Sequence, residues 1–585
     1  MTTEASDRTP DAPASAFGPI EYHERTKHHL HRYAASPGHL DWANQPDPFR
    51  RFDGAPLIRL AIGGAPLDEG PSFDAIASGE PVEPAIVNLR TLSSFFEFSL
   101  ALSAWKQFGA SRWALRINPS SGNLHPTEGY LICGPVDGLG ESGGIYHYAP
   151  REHGLERRAE IPSQAWSALA MAMPMGSFFV GLSSIHWREA WKYGERAFRY
   201  CQHDVGHALA AISYAAALHG WSATWLSECF DDELARLIGL DRVEDFEGAE
   251  RESPDLLIAV GPPPSSGAFN AEALLERLRA SLLADMPIAG WSGKANRLSL
   301  EHVDWDVIDL VDHACRKPPT NLNNSLSPPL RDLVGSSGGV VGKVQPSTAP
   351  LLSPTAPRPA ARRVIFQRRS AVAMDGKSSI SAGDFFLMLD RTMPRFNRAP
   401  FVALSSPAAL DLALFVHRVR DVEPGLYFLT RDPRRKAALR EAMNPEFLWE
   451  FPKNCPAHLP LALLTQGDAR RVSAQISCHQ EIAADGAFSL GMIADFEGSL
   501  TSFGPWFYRR LFWEAGVIGQ ALYQEAEAAG VRGTGIGCFF DDAMHSLLGL
   551  RDQRFQSLYH FTIGAAKEDF RLMTWPPYGG REGDL

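Results

Sequence analysis

The sequence has no run of 18 or more uncharged apolar residues, so no stretch is long enough to cross a bilayer as a helix. Its N-terminus, MTTEASDRTPDAPASAFG, lacks a basic segment followed by an apolar core, and no secretory leader is expected. Positive charge is in short supply: 56 Lys and Arg stand against 68 Asp and Glu, a net charge of −12. That balance argues against a general nucleic-acid or anionic-membrane surface. Cysteine is scarce. Cys133, Cys201, Cys229, Cys315, Cys455, Cys478 and Cys538 are odd in number, scattered and never spaced CxxC. A disulfide framework and a zinc ribbon are therefore not expected, and a reducing cytoplasm is the expected setting. Cys229 and Cys538 read as buried structural thiols. His186, His203 and His207 do not form HExxH, so no metal site is expected.

What is present is ordinary for a globular protein: 45% hydrophobic and 21% charged residues. At about 150 residues per domain, 585 residues suggest two to four domains. One composition shift, at 317–362, is rich in Pro, Ser and Gly and reads as an exposed linker. The expected organisation is a flexible tail at 1–20, an N-terminal extension at 21–85, a first domain at 86–316, the linker, and a second domain at 363–585. The His-rich YHERTKHHLHRY (22–33) of the extension reads as a helix packed on the catalytic domain, with partner recognition as the alternative.

The two halves are related. Residues 192–240 and 502–550 align without a gap at an offset of 310, with thirteen of 49 positions identical. Among these are Gly194/Gly504, Arg199/Arg509, Gly206/Gly516, Gly220/Gly530 and Thr224/Thr534. Chance rarely keeps register across several glycines and a shared Phe-Asp-Asp, so an internal duplication is the simplest explanation. A weaker match pairs 117–133 with 402–418 at an offset of 285, and GIYHY (144–148) matches GLYFL (425–429). Each unit predicts a largely apolar helix (92–108; 381–389 onward), a loop, a strand (130–133; 412–416) and a hairpin at Gly144 or Gly425. A long helix (195–218; 508–528) ended by Gly220 or Gly530 and a last strand (256–261; 558–564) complete it. This is an α+β unit present twice, and two copies in one chain suggest an intramolecular pseudo-dimer.

Four segments could carry chemistry. PSSGNLHP (119–126) offers N–H groups, hydroxyls and the Asn123 amide to a planar ring or a phosphate. QRRSA (367–371) places arginines and a serine at an expected helix start, a phosphate-binding combination. GTGIGCFFDD (533–542) permits unusual backbone angles and close ligand approach, but lacks the spacing of a dinucleotide fingerprint. KYGERAFRY (192–200) sets Lys192 beside Tyr193, a proton-transfer pair if partly buried near a substrate. Taken alone, each also has a plain structural reading: a turn before a strand, a solvated basic edge, a glycine-rich turn, and the charged first turn of a long helix.

Taken together, SLYHFTIGAAKEDFRLMTWPPY (557–578), YHERTKHHLHRY, PSSGNLHPTEGY and KYGERAFRYCQHDVGHA resemble the SagB-type thiazole/oxazole-forming dehydrogenases, a branch of the flavin-dependent nitroreductase fold. The resemblance covers most of 20–315 and 363–578. It implies two tandem nitroreductase-like domains and FMN bound at their interface. One side would supply an Arg-x-Ser phosphate clamp, a glycine-rich turn and a C-terminal basic residue. The other would supply the Pro-Ser loop and covering helices. The motifs are split between the halves: PSSGNLHP stands in the first, whereas Arg368-Arg369-Ser370 and Gly535/Gly537 stand in the second. The resemblance therefore implies one composite site rather than two. Arg368, Arg369, Ser370 and Arg571 would hold the phosphate, Gly535, Ile536 and Gly537 would line the flavin, and Pro119, Ser120, Ser121, Gly122 and Asn123 would approach from the first half.

Lys192 and Tyr193 match the pair that supports proton removal in azoline-oxidising relatives. The expected activity is dehydrogenation of an azoline or related C–N bond in a peptide or small molecule. The alternatives are an NAD(P)H-dependent nitro or quinone reductase and a flavin-less scaffold in a biosynthetic complex. A small-molecule or peptide substrate, a possible biosynthetic partner protein and a monomer complete the expectation, with neither nucleic acid nor membrane as a partner.

Overall fold

Two 22-residue helices, Ala197–Leu218 and Phe507–Ala528, run through the centre of the molecule. Both are buried around nearly their whole circumference, so their apolar side chains face every direction and their polar ones, such as Arg199, Asp204, Arg509 and Glu514, are buried too. They cross at Gly206 and Gly516. A Cβ on Gly206 would stand 2.2 Å from the Trp513 carbonyl oxygen, and one on Gly516 would stand 2.2 Å from that of His203. Only glycine permits this approach of the two backbones. The computed structural model describes residues 17–63, 66–263, 270–284, 288, 290–319, 352–354, 356–395, 397–404 and 407–578.

Each helix is backed by an antiparallel sheet. The first sheet has seven strands, in the order Leu57–Arg59, Gly154–Ile161, Gly143–Ala149, Thr127–Cys133, Phe178–Ser184, Ser253–Gly261, Ser222–Trp225. The second has six: Leu461–Gln466, Gly425–Leu429, Leu410–Val416, Phe488–Asp495, Phe555–Gly564, Arg532–Ile536. Without the added edge strand 57–59, the two sheets have one and the same topology. One hydrophobic core spans both halves, joining Phe95, Leu209 and Ile212 to Phe512, Ile518 and Leu522, and a satellite core lies on the far face of each sheet.

Reciprocal contacts tie the halves together. Arg199 Nη1 donates to Asp541 Oδ1 at 2.8 Å, and its counterpart Arg509 pairs with Asp231, the counterpart of Asp541. The chain ends also cross over. The helix Pro19–Arg25 leads to His28, whose N–H donates to Asp541 Oδ2 at 2.9 Å, and Lys27 pairs with Asp542 at 3.2 Å. At the other end, Met573–Trp575 adds to the first half's hairpin Leu102–Phe108/Ser111–Arg116 as a third strand. The Tyr578 hydroxyl then donates to the Pro150 carbonyl at 2.8 Å.

Several expectations need correction. The expected helix at 92–108 is a helix only over Leu89–Glu97, and Leu102–Phe108 is a strand, because Ser111–Arg116 pairs with it across a hairpin and Met573–Trp575 pairs along its other edge. Within the span expected as a flexible tail, Pro19 begins a helix that buries Tyr22 and His23; residues 1–16 lie outside the described residues. Ala361–Gln367, which begins inside the span expected as a linker, is a helix that buries Ala361, Val364 and Ile365; residues 320–351 and 355 lie outside the described residues. Leu131 faces Tyr146 as Leu414 faces Tyr427, so the strand equivalence runs at 283, two residues from the expected 285. A two-residue slip keeps every side chain on its own face, which is why the strands themselves fall where expected.

Candidate active site

The first half contributes a loop and the helix end beneath it. Ser120 Oγ accepts from the His125 N–H at 2.8 Å, closing the 119–125 turn, and Gly122 and Asn123 adopt φ of +63° and +57°. Asp204, on the central helix, accepts from the Ser121 N–H at 3.2 Å. Lys192 and Tyr193 end the helix His186–Tyr193 rather than opening the long one, because Gly194 breaks the chain there with φ +54°. Their side chains rise under the loop. A Cβ on Gly122 would stand 2.8 Å from the Tyr193 hydroxyl and 3.1 Å from Lys192 Nζ. The loop and the Lys192–Tyr193 pair are thus in contact.

Two acids that sequence reasoning missed stand beside them. Glu189, one turn before Lys192, lies 3.5 Å from Ser120 Oγ. Among the described residues neither Glu189 nor Asp204 has a salt-bridge partner. Burial pushes the Asp204 carboxyl up to about 7, and burial together with the Asp204 charge raises Glu189 well above the usual carboxylate range. Burial and the Glu189 charge also raise the Tyr193 phenol. Their spacing of fifteen on two different helices carries no sequence signal.

The second half contributes the basic side. Arg368 caps the C-terminus of the 361–367 helix, so the expected helix start at QRRSA is a helix end, and no helix dipole assists the clamp. Arg368 Nη2 reaches across to the first half and donates to the carbonyls of Arg116 and Ile117 at 3.1 and 3.3 Å, just ahead of the Pro119–Asn123 loop. Its guanidinium lies 5.0 Å from the centre of the Tyr523 ring, and its Nε is buried without a partner. Ser370 Oγ and the Tyr523 hydroxyl are 2.9 Å apart, and that hydroxyl accepts from the Gly535 N–H at 3.0 Å. Arg369 donates to the Ser103 carbonyl at 2.9 Å; burial, then Arg368, then Arg532 lower its pKa to about 9.

Gly535 and Gly537 have no room for side chains. A Cβ on Gly535 would lie 1.8 Å from the Tyr559 hydroxyl, and one on Gly537 would lie 2.2 Å from the Tyr200 ring. Ile536 between them is buried in the strand opposite His560. Tyr200 packs on Tyr193 with ring centres 4.5 Å apart, and His203 stacks on Tyr559 at 4.1 Å. A continuous run of side chains thus links the glycine strand of one half to the Lys192–Tyr193 helix end of the other.

Arg571 is not part of this cluster. It is exposed, pairs with Asp569 at 2.7 Å and lies 5.6 Å from the Phe108 ring, five residues along the strand from Ser103. Five strand residues span about 17 Å, so Arg571 is remote from Arg369. The C-terminal segment is drawn along the hairpin by its ladder with Leu102–Phe108, which carries Arg571 to the hairpin tip. The further basic groups that act on Arg369 or lie beside it are Arg532 and Lys106. The donor set of Arg368, Arg369, Ser370, Arg532 and Lys106, with the unpartnered Arg368 Nε, suits a phosphate. Among the described residues no group of three or more His, Cys, Asp or Glu could hold a metal, and no helix is long and apolar enough to cross a membrane.

The positions related by the offset of 310 are built differently. Trp225 stands for Gly535, Ser502 and Phe503 for Lys192 and Tyr193, and Trp513 for His203. Trp225 packs edge-on against Trp513 at 5.4 Å and lies 6.4 Å from Trp506. Glu514 replaces Asp204, and two arginines, Arg510 and Arg431, together with the Ala409 N–H outweigh its burial and bring its carboxyl down to about 2. The Leu404–Ala408 counterpart of the Pro-Ser loop includes Ser405 and Ser406, which lie outside the described residues.

Paired antiparallel sheets around crossed central helices define a mixed α/β protein of nitroreductase-like fold. Residues 101–250 match the nitroreductase family model, so a nitroreductase-superfamily domain lies within the first half. A protein of Methanocaldococcus jannaschii, provisionally named a nitroreductase, is 27% identical over 150 residues, 24% of this chain and 68% of its own length. A solved structure from Anabaena variabilis, also provisionally named a nitroreductase, matches with a TM-score of 0.62 at 19% identity. It covers 94% of this chain and 99% of its own. That likeness extends the fold to nearly the whole molecule and speaks for fold alone.

Proposed function

We propose that this protein is an FMN-dependent oxidoreductase of the SagB type, with one flavin held between two domains arranged as an intramolecular pseudo-dimer. The observation that carries this reading is the reach of Arg368 to the carbonyls of Arg116 and Ile117, which sets the basic cluster of one half against the Pro119–Asn123 loop of the other. Arg368, Ser370 and Arg369, assisted by Arg532 and Lys106, hold the phosphate. The Gly535–Gly537 strand and the 119–123 loop flank the ring system. Trp225 from the first half and Trp513 from the second fill the position related by the repeat, so one flavin per chain is expected.

Bound FMN supplies two-electron hydride exchange. Around it, Lys192 and Tyr193 present their Nζ and hydroxyl at the loop, where one of them takes the proton that leaves the substrate carbon or nitrogen. Asp204 carries a proton near neutral pH and with Glu189 keeps the space below Lys192 and Tyr193 from holding two negative charges. The preferred substrate is an azoline or related C–N bond in a peptide or small molecule, and a monomer in a reducing cytoplasm is the proposed setting.

The test is reconstitution with FMN, flavin counted per chain, and anaerobic mixing with a thiazoline-containing peptide and, separately, with NAD(P)H. Bleaching by the thiazoline with formation of the thiazole supports the dehydrogenase. Bleaching by NAD(P)H alone replaces it with the reductase. Failure to bind FMN at any concentration overturns both and leaves a scaffold role in a biosynthetic complex.

A further inference from the structure

Cys478 and Cys538 lie far apart in sequence, yet the fold brings them together outside the Lys192 site. The 476–480 turn runs beside residues 538–540: Phe540 N–H donates to the Ile476 carbonyl at 2.8 Å, and Gln480 Nε2 donates to the Cys538 carbonyl at 3.0 Å. The His479 and Phe540 rings are 5.4 Å apart. Cys478 and His479 both adopt positive φ, +53° and +59°, a strained left-handed turn. The two segments run in opposite directions, which sets Cys478 beside Cys538, and each thiol acts on the other's charge. Five of the seven cysteines are buried; these two are the partly exposed ones, so the expectation of a buried structural thiol holds for Cys229 and fails for Cys538.

The surroundings of Cys538 favour a thiolate. His28 Nδ1 accepts from the Ala34 N–H at 3.0 Å, which puts the ring proton on Nε2, and the imidazole acts on the Cys538 thiol. Arg196 stands over the same turn and donates to the Gly537 carbonyl at 3.3 Å. We propose that Cys478 and Cys538 form a redox-active dithiol that closes to an intramolecular disulfide on reaction with a low-molecular-weight disulfide. The neighbouring Cys478 thiol, and after it His28, hold the Cys538 thiol below the usual thiol range while Cys478 is pushed up, and with His28 and Arg196 on its side Cys538 is the attacking group.

In the first step the Cys538 thiolate attacks one sulfur of the small disulfide, forming a mixed disulfide and releasing one thiolate. In the second, Cys478 gives its proton to solvent and attacks Cys538 sulfur, releasing the second thiolate. Two protein thiols are oxidised and one small disulfide is reduced to two thiols. The bond ties the 476–480 turn to the residue after Gly537, whose backbone lies against Tyr200 of the other half.

The experiment exposes the native full-length chain to oxidised glutathione, quenches with acid, alkylates, and maps the peptides by mass spectrometry. The expected result is loss of two of the seven thiols and a cross-linked pair joining Cys478 to Cys538. In Cys478→Ser, Cys538 should keep a stable glutathione adduct. The proposal is overturned if all seven thiols remain alkylatable in the treated wild type, or if a glutathione adduct on Cys538 persists there. Both decisive readings come from the wild-type chain, so a variant that fails to fold does not affect them.

Discussion

Lys192 and Tyr193 touch the loop that is proposed to meet the flavin, but nothing in the phosphate cluster touches them. Binding and chemistry are therefore separable by substitution. Lys192→Ala and Tyr193→Phe should each lower turnover of a thiazoline substrate by about 10²- to 10⁴-fold, the range for loss of a positioned proton acceptor, with FMN content unchanged. Arg368→Ala should do the reverse, emptying the protein of FMN, as read by its visible spectrum. Asp204 allows a stability test at the same scale. Its carboxyl rises to about 7 from an ordinary 3.8 because it is buried. The native state therefore holds a proton that the unfolded chain releases, and wild-type stability should fall as pH rises from about 4 to about 7. Asp204→Asn removes that fall while keeping an acceptor for Ser121. The variant should gain on the wild type steadily across this window in urea unfolding, whereas a pH-independent difference would discard the assignment.

At the scale of elements, the crossing of the two long helices is the most demanding contact. Each glycine faces a backbone rather than a flexible side chain, so no rotamer change can relieve a larger residue. Gly206→Leu or Gly516→Leu should cost at least about 1–3 kcal/mol and lower the melting temperature, since overpacking here must push the helices apart. Both helices, their glycine ends and the strands Thr127–Cys133, Ser253–Gly261, Leu410–Val416 and Phe555–Gly564 were legible in the sequence, because their apolar spacing and the shared Gly, Arg and Phe-Asp-Asp positions are local signals. What was not legible depends on distant partners. Leu102–Phe108 reads as a helix until Met573–Trp575 is placed beside it. Arg571 reads as a phosphate ligand until that same ladder carries it to the hairpin tip. Glu189 and Asp204 carry no motif, and only burial on facing helices makes them notable.

At the scale of the molecule, the two sheets share one core, and each chain end packs on the opposite half. Neither 17–319 nor 356–578 should give a cooperative melt when expressed alone, because each would expose the central helix face that the other covers; mixing or co-expression should restore one. An independent cooperative transition in either half would count against a shared core. Flavin content at saturation should be close to one per chain, and Trp225→Gly should not raise it, because no arginine-serine clamp serves that side.

Trp225 has a consequence in genetic terms. In an assembly of two identical chains, one codon writes both crevices, so a tryptophan that plugs one would plug the other. Here the two positions, 225 and 535, are written by separate codons. One can accept an indole while the other stays glycine, and each half is free to lose what its neighbour still provides.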